Sequence, residues 1–218
     1  MTRHRKREEW IADILAAAAE VIDRSGYPNL TMEAIAASTG LSKGGVYRFF
    51  KNKRDVALAL FSKLYLQLLD FDLDAVLQWN ASIEETIFRL LFSQFDAERT
   101  DERTGRIWVQ LLPETTWSED FRQEARRLQE VLTDKYRRLV RRLIERDRIS
   151  VPADFEGRLQ VAFDLGTAIM QGLVIQGTTG APRAVRARLL RQFIAVMMDE
   201  MFSPNKMPTT GKWSAGNV

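Results

Sequence analysis

The chain has 218 residues, 45% of them hydrophobic and 28% charged, with a net charge of +3, which suits a folded globular protein and excludes a disordered one. It has no cysteine and a single histidine, His4, so disulfides, cysteine-based zinc sites and a histidine-dependent triad in the folded body are excluded. The lack of cysteine suits the reducing cytoplasm, and the opening MTRHRKREEW has neither the apolar stretch nor the cleavage site of a secretion signal.

Charge is unevenly placed. The first 54 residues hold ten Lys and Arg against six acids, whereas the remainder carries a net −1. That asymmetry points to a polyanion near the N-terminus.

In chain order, Trp10, Ile11, Ile14, Leu15, Ala18, Val21 and Ile22 recur by threes and fours, predicting a first helix over about 8–25 that ends at Gly26, in a left-handed cap, before Pro28. Thr31 offers an N-cap for a short second helix that stops at Gly40, and Ser42 caps a third through Val46, Phe49 and Phe50. Asn52 with Asp55 opens a fourth that carries Val56, Leu60, Phe61, Leu64, Leu68 and Leu69.

Further on, Ser82 with Glu85 and Thr116 with Glu119 have the spacing of capping boxes. Pro152 precedes a helix of about 155–178, and Gly180 with Pro182 separates it from a last one of about 183–202. No stretch alternates as a strand does, so the fold class is all-α. The uncharged run Leu165–Pro182 is long enough to suggest a membrane span, but its glycines, Thr and Gln favour a buried helix–helix interface, and no membrane partner is expected. Residues 204–218 are small, polar and aperiodic, and are expected to be disordered.

Ala36, Gly40 and Val46 meet the demands of a helix-turn-helix: a small residue at the crossing, a glycine in the turn, and an apolar anchor on the second helix. No acid lies between Glu33 and Asp55, and Lys43, Tyr47 and Arg48 fall on the outer face. Gly44 and Gly45 slim the start of the third helix, which leaves its backbone N–H groups and positive dipole end open to a duplex.

Over residues 14–60, with Gly26, Thr31, Ile35, Ala36, Gly40, Ser42, Gly44, Tyr47, Phe50, Lys51, Asn52 and Lys53 in matching order, the chain resembles the DNA-binding domain of the TetR family of bacterial transcription repressors. The resemblance implies a homodimer with N-terminal DNA-reading heads and a C-terminal helical domain that binds a small molecule and dimerises. The domains are then 1–52, 53–203 and the tail 204–218.

Carried over by position, Thr31 and Tyr47 would contact phosphates, Lys53 would do so from the fourth helix, and Lys43 with Gly44 would lie at the groove, flanked by Ser42 and Arg48. Phe49 stands where the family often has a phosphate-bonding histidine or tyrosine, and Arg48 is expected to compensate.

Phe88, Phe92, Phe95, Trp108, Leu112, Phe163 and Met170 are candidates to line a pocket for an apolar or aromatic effector. For dimerisation, small Gly166 and Gly172 and the stripe of Leu189, Phe193 and Met197 suggest a two-fold four-helix bundle. The segment KYRRLVRRLIERDR, with Arg137, Arg138, Arg141 and Arg142 on one side, reads as a solvated outer face, with an anionic-ligand pocket as the lesser reading. No histidine, cysteine or phosphate loop forms a catalytic constellation, so no enzyme, metal or cofactor is expected. The expected function is a ligand-responsive repressor; the alternative is a DNA-binding protein without an effector, either architectural or controlled by a protein partner.

Overall fold

The computed structural model describes residues 6–93 and 102–203, and the expectations for Phe95 and for the tail fall outside them. Among the described residues there are eleven α-helices, one 3-10 turn and no strand.

Helix α1 (Arg7–Ser25) has Glu8 and Glu9 in its first turn, where carboxylates complement the helix dipole. Its end differs from the expected left-handed cap. Gly26 takes φ 87° with an extended ψ of 154°, a region open in practice only to glycine, and feeds a 3-10 turn at Tyr27–Asn29. Helix α2 (Met32–Thr39) starts on Thr31, whose hydroxyl accepts the Ala34 N–H at 3.0 Å, and ends on a left-handed Gly40. Helix α3 (Lys43–Tyr47) is capped by Ser42, which accepts the Gly45 N–H at 3.0 Å.

Helix α4 (Lys53–Gln67) begins in the predicted box: Asn52 accepts the Asp55 N–H at 3.0 Å, and the Asp55 carboxylate accepts the Lys51 N–H at 3.2 Å. The apolar core does not part at residue 52. Ile14, Ile22, Ile35 and Val46 share one cluster with Val56, Phe61, Leu111, Phe121 and Leu128, so the apolar core of the head continues into the first half of the body.

Helix α5 (Leu73–Leu77) was not expected from periodicity; Asp72 nucleates it by accepting two backbone N–H groups. Helix α6 (Ile83–Ser93) starts at Ser82 as predicted, with the Glu85 N–H on its hydroxyl at 3.2 Å. The Thr116–Glu119 box does not form, because helix α8 (Glu114–Trp117) occupies that stretch after helix α7 (Glu102–Leu111). The Thr116 carbonyl instead accepts from Arg122 at 3.0 Å.

Helix α9 (Glu119–Asp147) is the long strut of the body, and helices α10 (Phe155–Thr178) and α11 (Arg183–Phe202) pack on each other at the far side. The arginine-rich face of α9 is held in ion pairs and a hydrogen bond. Arg138 meets Asp134 at 3.0 Å, Arg141 meets Glu156 at 2.9 Å, Arg142 meets Asp74 at 2.7 Å, and Arg137 donates to Gln160 at 2.6 Å.

Among the described residues α10 alone is long and apolar enough to cross a membrane, yet little of its apolar stretch is buried within the chain. Its apolar residues fall on two opposite faces. Leu159, Phe163, Gly166, Met170 and Val174 point into the body, while Val161, Leu165 and Ile169 are 53%, 45% and 38% exposed on the outside. The expected interface is therefore open on that side in the single chain.

Candidate nucleic-acid interface and ligand cavity

The two short helices of the head present one polar face. Ser42, Lys43, Gly44, Tyr47 and Arg48 are all exposed, with the Tyr47 ring 45% so, while Val46 beneath them is fully buried. The glycine pair splits in role. A Cβ on Gly44 would meet only the Ser42 hydroxyl at 4.0 Å, so that position is open toward solvent. A Cβ on Gly45 would meet the Ser42 hydroxyl at 3.3 Å and Leu41 at 3.4 Å, so Gly45 is packed closely against the cap. Its N–H is also taken by Ser42, which leaves Gly44, and not Gly45, as the slender point of the helix.

Two groups expected to be free for a polyanion hold partners. The Lys43 ammonium pairs with Glu33 across the helix-turn-helix and lies 6.0 Å from the Tyr47 ring. The hydrogen bond from Lys43 holds the Glu33 carboxyl below its ordinary range, and the same bond raises Lys43. Lys53 reaches back to donate to the Pro28 carbonyl at 3.0 Å and lies over the Tyr27 ring at 5.2 Å, which ties the start of α4 to the 3-10 turn.

Thr31 and Ser42 accept backbone N–H groups, and each hydroxyl keeps its own proton to donate. Phe49 also gains an explanation. Its ring packs on the head's core and carries the Arg7 guanidinium at 5.3 Å, so Arg7 adds a cation beside α3 that periodicity did not reveal.

A cavity of about 470 Å³ lies within the body, walled by α4, α6, α7, α9, α10 and α11. Trp108, Phe163 and Met170 line it as expected from the sequence, joined by Leu64, Tyr65, Leu132 and Tyr136. Phe88, Phe92 and Leu112 do not. Phe88 and Phe92 stack on each other at 5.1 Å in a separate cluster with Leu173 and Leu190, and the cavity is lined from α6 by Ile87 and Leu91 instead. Leu112 follows Leu111, which is buried in the core of the head.

Gly166, Phe193 and Met197, expected at the dimer face, also line the cavity, and a Cβ on Gly166 would touch the Phe193 ring at 3.8 Å. Gly172 and Leu189 are not part of that lining, and Leu189 is 36% exposed.

One polar chain crosses the cavity wall. The Tyr65 hydroxyl on α4 donates to Gln129 on α9 at 2.5 Å, and the Gln129 amide donates to Thr167 on α10 at 2.7 Å. Burial pushes the Tyr65 phenol up to about 12, so it stays neutral throughout the ordinary range.

Helix α7 faces both ways. Thr104, Gly105 and Trp108 look into the cavity. On its other side Arg106 meets Asp23 at 2.8 Å, and Gln110 accepts the Tyr27 N–H at 3.0 Å while donating to the Ile22 carbonyl at 3.3 Å. These bonds grip the end of α1.

Residues 14–60 match the profile of bacterial regulatory proteins of the tetR family. The HTH-type transcriptional regulator YhgD of Bacillus subtilis (strain 168) is 30% identical over 95 residues, 44% of this chain and 49% of that protein, so the chain spans about half the length of this relative. The HTH-type transcriptional regulator BetI of Brucella anthropi is 26% identical over 189 residues, 85% of this chain and 92% of the relative. A transcriptional regulator from Saccharomonospora viridis, solved in complex with choline, superposes with a TM-score of 0.67 at 22% identity, covering 87% of this chain and 97% of the other, which establishes the fold alone. The profile falls on the helices that build the exposed polar face of the head, and the relatives are transcriptional regulators: the head of this chain, residues 14–60, matches the DNA-binding region of the tetR family of bacterial regulatory proteins.

Proposed function

We propose that the chain is a cytoplasmic repressor that binds a near-palindromic operator as a homodimer and lets go of it when a small apolar molecule fills the body cavity. The observation that carries the reading is the double duty of α4 and α7. Each walls the cavity with one set of residues and engages the head with another, through Lys53 and Pro28 for α4 and through Arg106, Gln110 and the end of α1 for α7. A ligand that shifts either helix therefore changes the angle of the head, and a coupling of about 1–3 kcal/mol is enough to change operator affinity about 5–150-fold.

On this reading Thr31, Tyr47 and Lys53 bind phosphates, Ser42 and Gly44 let the tip of α3 approach, and Lys43 and Arg48 reach base edges in the major groove. Lys43 exchanges Glu33 for the duplex as it docks. The outer faces of α10 and α11, with Val161, Leu165, Leu189 and Val196 exposed, are the dimer contact, and they hold two heads about 34–36 Å apart on successive grooves. The DNA-binding head is proposed to be residues 1–52 on a body of 53–203, with α4 shared between them through their continuous core.

Choline, bound by the neighbour from Saccharomonospora viridis, is not favoured for this chain. No carboxylate lines the cavity among the described residues, and 470 Å³ greatly exceeds so small a cation. The test is selection of bound duplexes from a random pool at low salt. An inverted repeat of half-sites is expected, with affinity falling steeply as salt rises. Recovery of unrelated sequences without two-fold symmetry would overturn the proposal.

A further inference from the structure

Resting on the ligand-responsive reading above, we infer that the molecule the cavity takes is an anionic amphiphile: one extended alkyl or acyl chain with a negative head seated beside Arg183 and Arg186. The shape of the cavity is the first argument. Its lining on α10 runs from Leu159 to Thr178 along one face of the helix. At about 1.5 Å per residue that face is about 28 Å long. A volume of about 470 Å³ whose lining extends over such a length suits an extended, flexible chain better than a compact ring system.

Its chemistry is graded along that length. The end near Leu159, Val140 and Met201 is apolar, and Met197, Met198 and Met201 supply side chains that conform to an irregular chain. The middle offers the Tyr65–Gln129–Thr167 relay. At the other end stand Arg183 and Arg186, with no carboxylate in the lining among the described residues. Both arginines also interact within the chain, so an arriving anion exchanges partners rather than meeting a bare charge.

Gly177 supports the assignment. A Cβ there would lie 2.7 Å from the Arg186 Nη1 atom and 3.1 Å from its Cζ, so the absence of a side chain is what lets the guanidinium lie across α10 at the cavity. Arginine's planar fork is the group best matched to a carboxylate or a phosphate.

The shared chemistry has two sources, a free fatty acid and an acyl thioester of a phosphate-bearing carrier. Calorimetry on the full chain with hexadecanoate, hexadecanoyl-coenzyme A, hexadecanol and hexadecyltrimethylammonium, each below its micelle concentration, separates them. At least one of the two anions is expected to bind at least tenfold more tightly than the alcohol or the cation, and to release the selected operator. Binding of hexadecanoate alone identifies the free acid, and binding of the thioester alone identifies the carrier form; either supports the inference.

The R183Q/R186Q double variant is expected to lose the anion preference by at least tenfold while its affinity for hexadecanol is unchanged. G177A, which improves helix propensity and so folds, is expected to weaken anion binding in the same direction by displacing Arg186. Equal binding of all four compounds, or a preference that survives in R183Q/R186Q and G177A, overturns the inference, while the ligand-responsive reading stands if hexadecanol still releases the operator. An operator complex that none of these chains dissociates, in a protein whose cavity binds none of them, overturns both.

Discussion

Val196→Glu tests the dimer most directly. Val196 is the most exposed aliphatic residue of α11 at 61%, and it belongs to the same outer face as Leu189 and, across the pair of helices, Leu165. Burying a side chain of this size is worth about 1.5–3 kcal/mol, so the exposed six-tenths of Val196 leaves about 1–2 kcal/mol to be gained on contact with a partner. A two-fold axis counts that gain twice. Replacement by glutamate removes about 2 kcal/mol or more per dimer and adds the desolvation of two carboxylates. The dimer dissociation constant is therefore expected to rise at least about 30-fold.

Sedimentation equilibrium reads that change, and operator binding should fall with it. The thermal midpoint of the monomeric variant should stay close to that of the wild type under conditions where both are monomers, because the valine is already in water in the single chain and glutamate is a good helix former. If the variant sediments as a dimer at the same concentrations as the wild type, the outer face of α10 and α11 is not the contact and the reasoning fails.

Asn52→Ala removes the acceptor of the Asp55 N–H at the start of α4 and is expected to cost about 1 kcal/mol, seen as a lower urea midpoint at unchanged slope. Glu33→Gln frees Lys43 from its ion pair and should raise affinity for the selected operator a few-fold in a gel-shift titration; unchanged or weaker binding would show that Lys43 does not reach the duplex. Tyr65 gives a pH signature. Its phenol ionises near 10 when unfolded and at about 12 when folded, so between those values the unfolded state has already lost its proton and stability falls as pH rises, by about 1.4 kcal/mol per unit. Tyr65→Phe should flatten that alkaline loss relative to the wild type in urea titrations at pH 9 and 11, although it gives up the bond to Gln129.

How far the molecule can be read from its sequence depends on helix length. The first, fourth, tenth and eleventh helices each show several turns of apolar period bounded by a capping residue, glycine or proline, and their bounds match the prediction within about two residues. Helices α5 and α8, at five and four residues, are too short to show a period, and the turn made by α8 is what defeats the Thr116 cap.

The cavity was half legible for a different reason. Periodicity tells which side of α6 is inward but not which inward group that side joins, so Phe88 and Phe92 went to a packed cluster and Ile87 and Leu91 to the cavity. On α10 the apolar residues nearly encircle the helix, and only the position of α11 shows that Gly166 looks inward while Leu165 looks out. The partners of Lys43 and Arg7 were hidden because they are tertiary. Glu33 sits ten residues before Lys43, and Phe49 lies far along the chain from the cation it carries.

The two-faced character of α10 has a consequence for how the assembly counts its ligands. In a dimer seated on its outer side, a single helix is the partition between one chamber and the neighbouring subunit: Phe163 and Met170 touch whatever is inside, and Leu165 and Ile169 touch whatever is outside. Backbone a few ångströms thick cannot yield to a guest on one side without altering the seat on the other. For the dimer and ligand proposed above, occupancy of the first chamber is expected to be reported to the second, so that the two fill as a linked pair instead of as strangers.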